Sequence, residues 1–237
     1  RKDLAALYTF SFIKSLQFFG ALAIPFYTLR IGFTYTQIFS LEAVFSIALF
    51  LFEIPTGVVA DKYGRKNSLL IGSLFFGLAF VGYGFTYSFF FLVLFQITAA
   101  FGMSLISGAD KALVYEKACE IYTDKKDISA ITGRYDAIGT AGMLLAFPAG
   151  TLLTLCPFFT FTFALGLVFV ISGISSIISG FIVIFVNEKK RPEQTESPIK
   201  IGLDGFLLLF STASLRRISL NTALIGTMTF LMFWLYQ

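Results

Sequence analysis

The chain is 237 residues long, 57% hydrophobic and only 14% charged, with a mean hydropathy of +0.82. Soluble domains sit nearer ~45–50% apolar and ~25% charged, so the composition excludes an ordinary water-soluble globule and places most of the chain in a lipid bilayer. The net charge is +4 and there is no histidine, which excludes a His metal site and a His proton switch; the placement of the cations, given below, excludes nucleic acid as a partner.

A membrane-spanning helix needs about 20 mostly apolar residues, and the apolar runs read as seven such helices. The first covers 4–29, carries Lys14 near its middle with Ser11, Ser15 and Gln17 at helical spacing, and is expected to kink at Pro25. The second covers 36–60 and holds Glu42 and Glu53, whose separation of close to three turns puts both on one face. A charged hinge at 57–66 leads to the third, 67–86, rich in glycine at Gly72, Gly77, Gly82 and Gly84. The fourth covers 89–112, with Gln96 and Ser107 on one face, and its helix can continue beyond the bilayer to Tyr122. A long polar loop at 110–134 precedes the fifth, 131–155, which contains Gly139, Gly142, Pro148 and Gly150. The sixth, 159–186, repeats Gly166, Gly173 and Gly180 every seven residues, a pattern suited to close helix packing.

The organisation expected is a bundle at 1–187, a polar linker at 188–215 and a further helix from 216. Two prolines and mixed charge make 187–200 a flexible linker, and 201–215 reads as a partly amphipathic surface segment. The start at Arg1 and the end at Gln237 inside an apolar run read as a piece of a longer chain. Cys119 and Cys156 fall on opposite sides in this topology, which argues against a disulfide.

Charge sets the orientation. Of the eighteen Lys and Arg, Arg30 falls in an outer loop and Lys14 inside a span; the other sixteen lie on the side of the amino terminus. By the positive-inside rule that side is cytoplasmic, in what is expected to be a bacterial inner membrane. A nucleic-acid binder would not distribute its cations over alternate loops of a membrane protein.

The densest charge cluster is the hinge, Gly57-Val-Val-Ala-Asp61-Lys-Tyr-Gly64-Arg65-Lys66. Its spacing, Gly-x-x-x-Asp-Lys-x-Gly-Arg-Lys, resembles the signature loop between helices two and three of the major facilitator superfamily of transporters. Glu53-Ile-Pro-Thr-Gly57 and Ser107-Gly-Ala-Asp110-Lys-Ala-Leu-Val-Tyr115-Glu116 are similar to a bacterial subgroup of the same superfamily. The resemblance implies an all-α membrane protein built of two six-helix bundles, of which this chain would supply the first, the linker and a seventh helix; the missing carboxy-terminal bundle would be its partner. It also implies that Asp61 meets a helix end of the other half, that Arg65 pairs with an acid near the fourth helix (Asp110 being the candidate), that Gly57 allows close packing between halves and that Gly64 makes the turn. Lys66 and Arg134 join this set of gating residues. In the fifth span, Phe147-Pro148-Ala-Gly150 matches only fragments of the pattern carried by drug–proton antiporters of the superfamily.

Lys14 is the second signal. A charge at mid-bilayer costs at least ~2.5–3.5 kcal/mol on insertion scales, so it requires a partner or a water-filled cavity. Depth arithmetic at about 1.5 Å per residue favours Glu53 over Glu42 as that partner. Lys14, Gln17, Glu53, Glu42 and Gln96 are candidates for lining a site for substrate or protons. For Lys14 and Glu53 the alternative is a structural ion pair, for Glu42 a position near the headgroups, and Arg134 and Asp136 fit a cytoplasmic charge network. No phosphate-binding loop, nucleophile–base pair or cofactor motif is visible, so neither an enzyme nor a cofactor protein is expected. The function implied by the resemblance is secondary active transport of a small solute by alternating access, with coupling to protons through Glu53; the alternative is a membrane sensor or receptor subunit that binds without transporting.

Overall fold

The computed structural model describes residues 2–188 and 212–235. The described residues are helical, with no strand among them: α1 Lys2–Lys14, α2 Ala23–Pro25 running into a π-helical turn Phe26–Ile31, α3 Tyr35–Tyr63, α4 Arg65–Phe85, α5 Phe89–Ile106, α6 Ala109–Cys119, α7 Lys125–Thr154, α8 Phe161–Val183 and α9 Ala213–Leu235. Five segments are long and apolar enough to cross a membrane: α3, α4, the α5–α6 stretch Phe89–Cys119, α7 and α8. This is an all-α, multi-pass membrane protein.

The chain forms two compact units, Arg1–Arg191 and Pro192–Gln237. In the second, Thr212 caps α9: its Oγ1 accepts from Leu215 N at 3.4 Å and its carbonyl from Arg216 N at 3.1 Å. This helix starts three residues before the expected 216. Most of the expected linker and amphipathic segment lies outside the described residues.

Within the first unit, α4 is central, packed on α8 along one face and on α5 along another, while α3 packs on α5 and α1 packs on α7 and α8. The glycine repeats explain the closeness of these contacts. A Cβ on Gly77 would stand 2.5 Å from the Gly173 carbonyl, and one on Gly84 2.7 Å from that of Gly166. Small residues let helix backbones approach where no hydrophobic effect separates protein from lipid. The seven-residue repeat of α8 thus meets α4, as its spacing suggests. Gly139 and Gly142 of α7 serve the same end against Ser11 and Phe12 of α1, and Gly150 against Phe18, so these three glycines of the fifth span are accounted for by packing.

The first span departs from expectation. It is not one helix kinked at Pro25; α1 stops at Lys14 and the backbone is irregular from 15 to 22 before α2. Pro25 is the third residue of α2, beyond the break, so its missing N–H does not set where α1 stops. The irregular segment is instead held by tertiary contacts: Phe18 N–H donates to Ser172 Oγ at 2.9 Å, and Phe19 stacks on both Phe80 and Phe169 at centroid distances of 4.7 and 4.8 Å. Non-helical backbone at membrane depth is tolerated where protein buries it or where it lines a cavity, and both conditions hold here.

Two other boundaries differ. The 57–66 hinge is almost entirely helical, because α3 runs through Tyr63 and α4 begins at Arg65, leaving Gly64 alone between them at φ +94°. The polar stretch 110–134 is not a loop: α6 occupies its first half and α7 starts at Lys125, where the Asp124 side chain accepts from Lys126 N at 3.0 Å as a helix cap. On the opposite end of the bundle, Arg30 donates to the Gly84 carbonyl in the last turn of α4 at 2.7 Å and to Thr162 O at 2.5 Å, and lies over the Tyr87 ring. A cation at a helix C-terminus opposes the macrodipole favourably.

Candidate functional site

Two charged assemblies interrupt the apolar bundle. The first surrounds the hinge. Arg65 pairs with Glu116 of α6 at 3.4 Å and with Asp61, one turn back, at 3.9 Å. The expected pairing of Arg65 with Asp110 is corrected: Glu116 lies farther along α6 toward the aqueous end, where Arg65 also is, whereas Asp110 faces inward. Lys66 Nζ donates to the Ile184 carbonyl at the end of α8 at 2.6 Å. Gly57 is exposed, with no atom near the place of a Cβ, and Arg134 projects exposed from α7.

The second assembly is buried. Lys14, the last residue of α1, donates from Nζ to Asp110 Oδ2 at 2.6 Å, with side-chain exposures of 20% and 8%. Asp110 also accepts from Tyr135 OH at 3.0 Å and, on Oδ1, from Lys111 N at 2.6 Å. Ser11 Oγ donates to the Tyr135 carbonyl at 3.0 Å, fixing α1 against α7. Lys14 Nζ lies 5.2 Å from the centroid of the Phe10 ring and 5.8 Å from that of Tyr135, so two aromatic faces flank the cation. A cleft of about 350 Å³ opens beside this pair, lined also by Ser15, Thr140 and a second ion pair, Lys111–Asp136 at 3.2 Å.

Lys14 therefore meets Asp110, not Glu53. A pairing with Glu53 requires the first and second spans side by side, but α1 packs on α7 and α8, with α6 beside it. Glu53 is exposed on α3. Gln17 falls in the irregular segment and does not line the cleft. Glu42 and Gln96 are brought together elsewhere: Gln96 Nε2 donates to Glu42 Oε1 at 3.1 Å, and Tyr83 OH donates to Gln96 Oε1. Tyr83 and Gln96 are both buried, so a half-buried carboxylate ends a polar chain inside the bundle.

The α5–α6 break has a local cause. Gly108 adopts φ +76°, and the carbonyls left without helical partners before it are taken by side chains of neighbouring spans: Ser68 Oγ donates to Leu105 O at 2.7 Å and Thr56 Oγ1 to Ser104 O at 3.2 Å. The break turns Asp110 into the first turn of α6, where a carboxylate is favoured by the helix dipole. Sequence reasoning missed Tyr135, which stands between Arg134 and Asp136; Ser11 was legible only as part of the polar stripe with Lys14. It also missed Glu188, the first acid after the sixth span. Among the described residues no group of His, Cys, Asp and Glu is arranged to hold a metal ion.

Comparison with known proteins agrees with this architecture. Over 149 residues the chain is 28% identical to an uncharacterized MFS-type transporter of Methanocaldococcus jannaschii, covering 62% of this chain and 34% of that protein. It is 33% identical over 108 residues to the uncharacterized MFS-type transporter YxaM of Bacillus subtilis, covering 45% and 27%. With the methyl viologen resistance protein SmvA of Salmonella typhimurium it shares 24% identity over 120 residues, covering 51% and 23%. The matched stretches span well under half of each relative. The sequence model described as Major Facilitator Superfamily matches residues 4–237, and the chain belongs to that superfamily.

Proposed function

We propose that this chain is the amino-terminal part of a secondary active transporter that moves a small solute by alternating access, coupled to protons, in a bacterial inner membrane with its amino terminus in the cytoplasm. The observation that carries the reading is the cleft beside Lys14 and Asp110, where an ion pair, four hydroxyl-bearing residues and a break in the first span meet inside an otherwise apolar bundle. Intramembrane charge is expensive and marks solute or ion pathways, and interrupted helices lining a midplane site are a recurring device of transporters. The hinge assembly of Asp61, Arg65, Lys66 and Glu116 fits a gate on the cytoplasmic side, closing against the second bundle.

Within this reading Glu42 is the proton-carrying group. Its hydrogen-bond partner Gln96 is neutral, so loss of a proton leaves a charge that the bundle compensates poorly. Glu53 stands on the same face of α3 as Gly57, available to the second bundle.

The test is flux in proteoliposomes reconstituted with the full-length gene product and carrying an entrapped pH dye. A panel of solutes headed by methyl viologen, suggested by the name of the Salmonella relative, should include one whose addition moves protons and which accumulates against its gradient. A protein that binds members of the panel but moves none of them is not a transporter.

A further inference from the structure

We propose that Glu188 is a positioning residue of the hinge: its carboxylate clamps the start of α4 to the end of the sixth span and thereby sets the direction of Arg65. The inference rests on the reading of the hinge as a cytoplasmic gate.

The start of α4 is poorly provided by its own sequence. Its N-cap is Gly64, which has no side chain to accept from the first turn, and the first turn contains no acid. The first two residues are Arg65 and Lys66, cations at the positive end of a helix dipole, where anions are favoured. The first four N–H groups of any helix have no partner within it.

Glu188 supplies what is missing from 122 residues away. Oε1 accepts from Arg65 N at 2.8 Å and Oε2 from Lys66 N at 2.9 Å. A carboxylate held by two backbone N–H groups at a helix start is a charge-assisted, bidentate contact. Lys66 adds a second tie, donating from Nζ to the Ile184 carbonyl. Gly64 fits on both counts: its φ of +94° disfavours any side chain, and a Cβ there would lie 2.8 Å from Glu188 Oε2. The clamp therefore occupies the space that the glycine leaves. With the amides of residues 65 and 66 fixed, the Arg65 guanidinium is aimed at Asp61 and Glu116. Any tilt of the sixth span during transport would move the hinge with it.

The experiment uses the full-length protein in nanodiscs, with Glu188→Ala, Glu188→Gln, Gly64→Ala and the double variant. Backbone hydrogen exchange is read on peptides covering residues 64–68, and cytoplasmic accessibility by maleimide labelling of a cysteine at Thr140, with Cys119 and Cys156 replaced by serine. Glu188→Ala should speed exchange at residues 65 and 66 by at least about tenfold and raise labelling at position 140. Glu188→Gln, which keeps one acceptor, should fall between Glu188→Ala and wild type. Gly64→Ala should displace the carboxylate, so that the double variant exchanges no faster than Gly64→Ala alone.

Unchanged exchange in folded Glu188→Ala overturns the clamp. Faster exchange with unchanged labelling in both Glu188 variants overturns the positioning role and reduces the contact to a helix cap. Neither readout depends on flux, so if the wild type transports nothing while the Glu188 variants show both responses, the clamp is supported and only the transport reading is lost.

Discussion

Lys14 and Asp110 form an ion pair at 2.6 Å that joins the last residue of α1 to the first turn of α6. Three donors converge on the carboxylate, from Lys14, Tyr135 and the Lys111 amide. Removing one partner leaves the other charged and desolvated, which costs about 3–5 kcal/mol for a fully buried pair. With Lys14 one-fifth exposed, each of Lys14→Met and Asp110→Ala should lose about 3 kcal/mol, at the lower end of that range. The double variant Lys14→Met/Asp110→Ala should regain part of the loss and not all, because Tyr135 OH loses its acceptor. Thermal unfolding in detergent of the four proteins checks this; additive losses would show that the two residues act independently.

Asp61→Asn should insert and fold normally but carry solute about tenfold more slowly or worse, because a charge-assisted contact at the gate is worth roughly that factor. The contact with Arg65 is long at 3.9 Å, so little stability is at stake in this bundle. Initial flux rates compared at matched protein levels decide it, and near-normal flux would remove Asp61 from the gate.

Gly77→Leu should be far more damaging than Gly57→Ala. Gly77 faces the Gly173 carbonyl across the α4–α8 contact, whereas Gly57 faces open space. A side chain forced into a packed helix contact costs about 1–3 kcal/mol, and more where backbone lies on the other side. The yield of monodisperse protein after detergent extraction should fall sharply for Gly77→Leu and stay level for Gly57→Ala. Equal yields would mean that the helices can move apart at little cost.

Glu42→Gln keeps a hydrogen-bonding side chain beside Gln96 but removes the charge. It should abolish proton-driven accumulation while leaving downhill exchange of the same solute within about threefold of wild type, since a neutral hydrogen bond is worth only ~1 kcal/mol net. Accumulation and exchange measured on one preparation separate the two effects. Retained accumulation would move the proton site elsewhere, with Glu53 next in line.

What the sequence made legible was what depends on local periodicity. The apolar runs located the five long spans, the seven-residue glycine repeat identified the face of α8 that meets α4, and the hinge spacing pointed to the family. What it concealed depends on which spans are neighbours. The partner of Lys14 was sought on the second span because that span is next in sequence; the partner lies on α6 because α1 packs on α7 and α8. The break after Lys14 was hidden for a related reason. Nothing in Ser15-Leu-Gln17 forbids a helix, and the irregular path is set by Phe19 stacking on Phe80 and Phe169 from other spans. Glu188 was read as the start of a polar linker, since a cap supplied from 122 residues away leaves no local pattern.

Alternating access around the cleft is the central claim. Its most direct measurement is labelling of a single cysteine at Thr140, an exposed residue lining the cleft, in the full-length protein with Cys119 and Cys156 replaced by serine. Impermeant maleimide is applied from one face at a time to oriented membrane vesicles, with and without an imposed proton gradient. The account predicts labelling from both faces, with the gradient shifting the ratio between them. Labelling from a single face under every condition would contradict it.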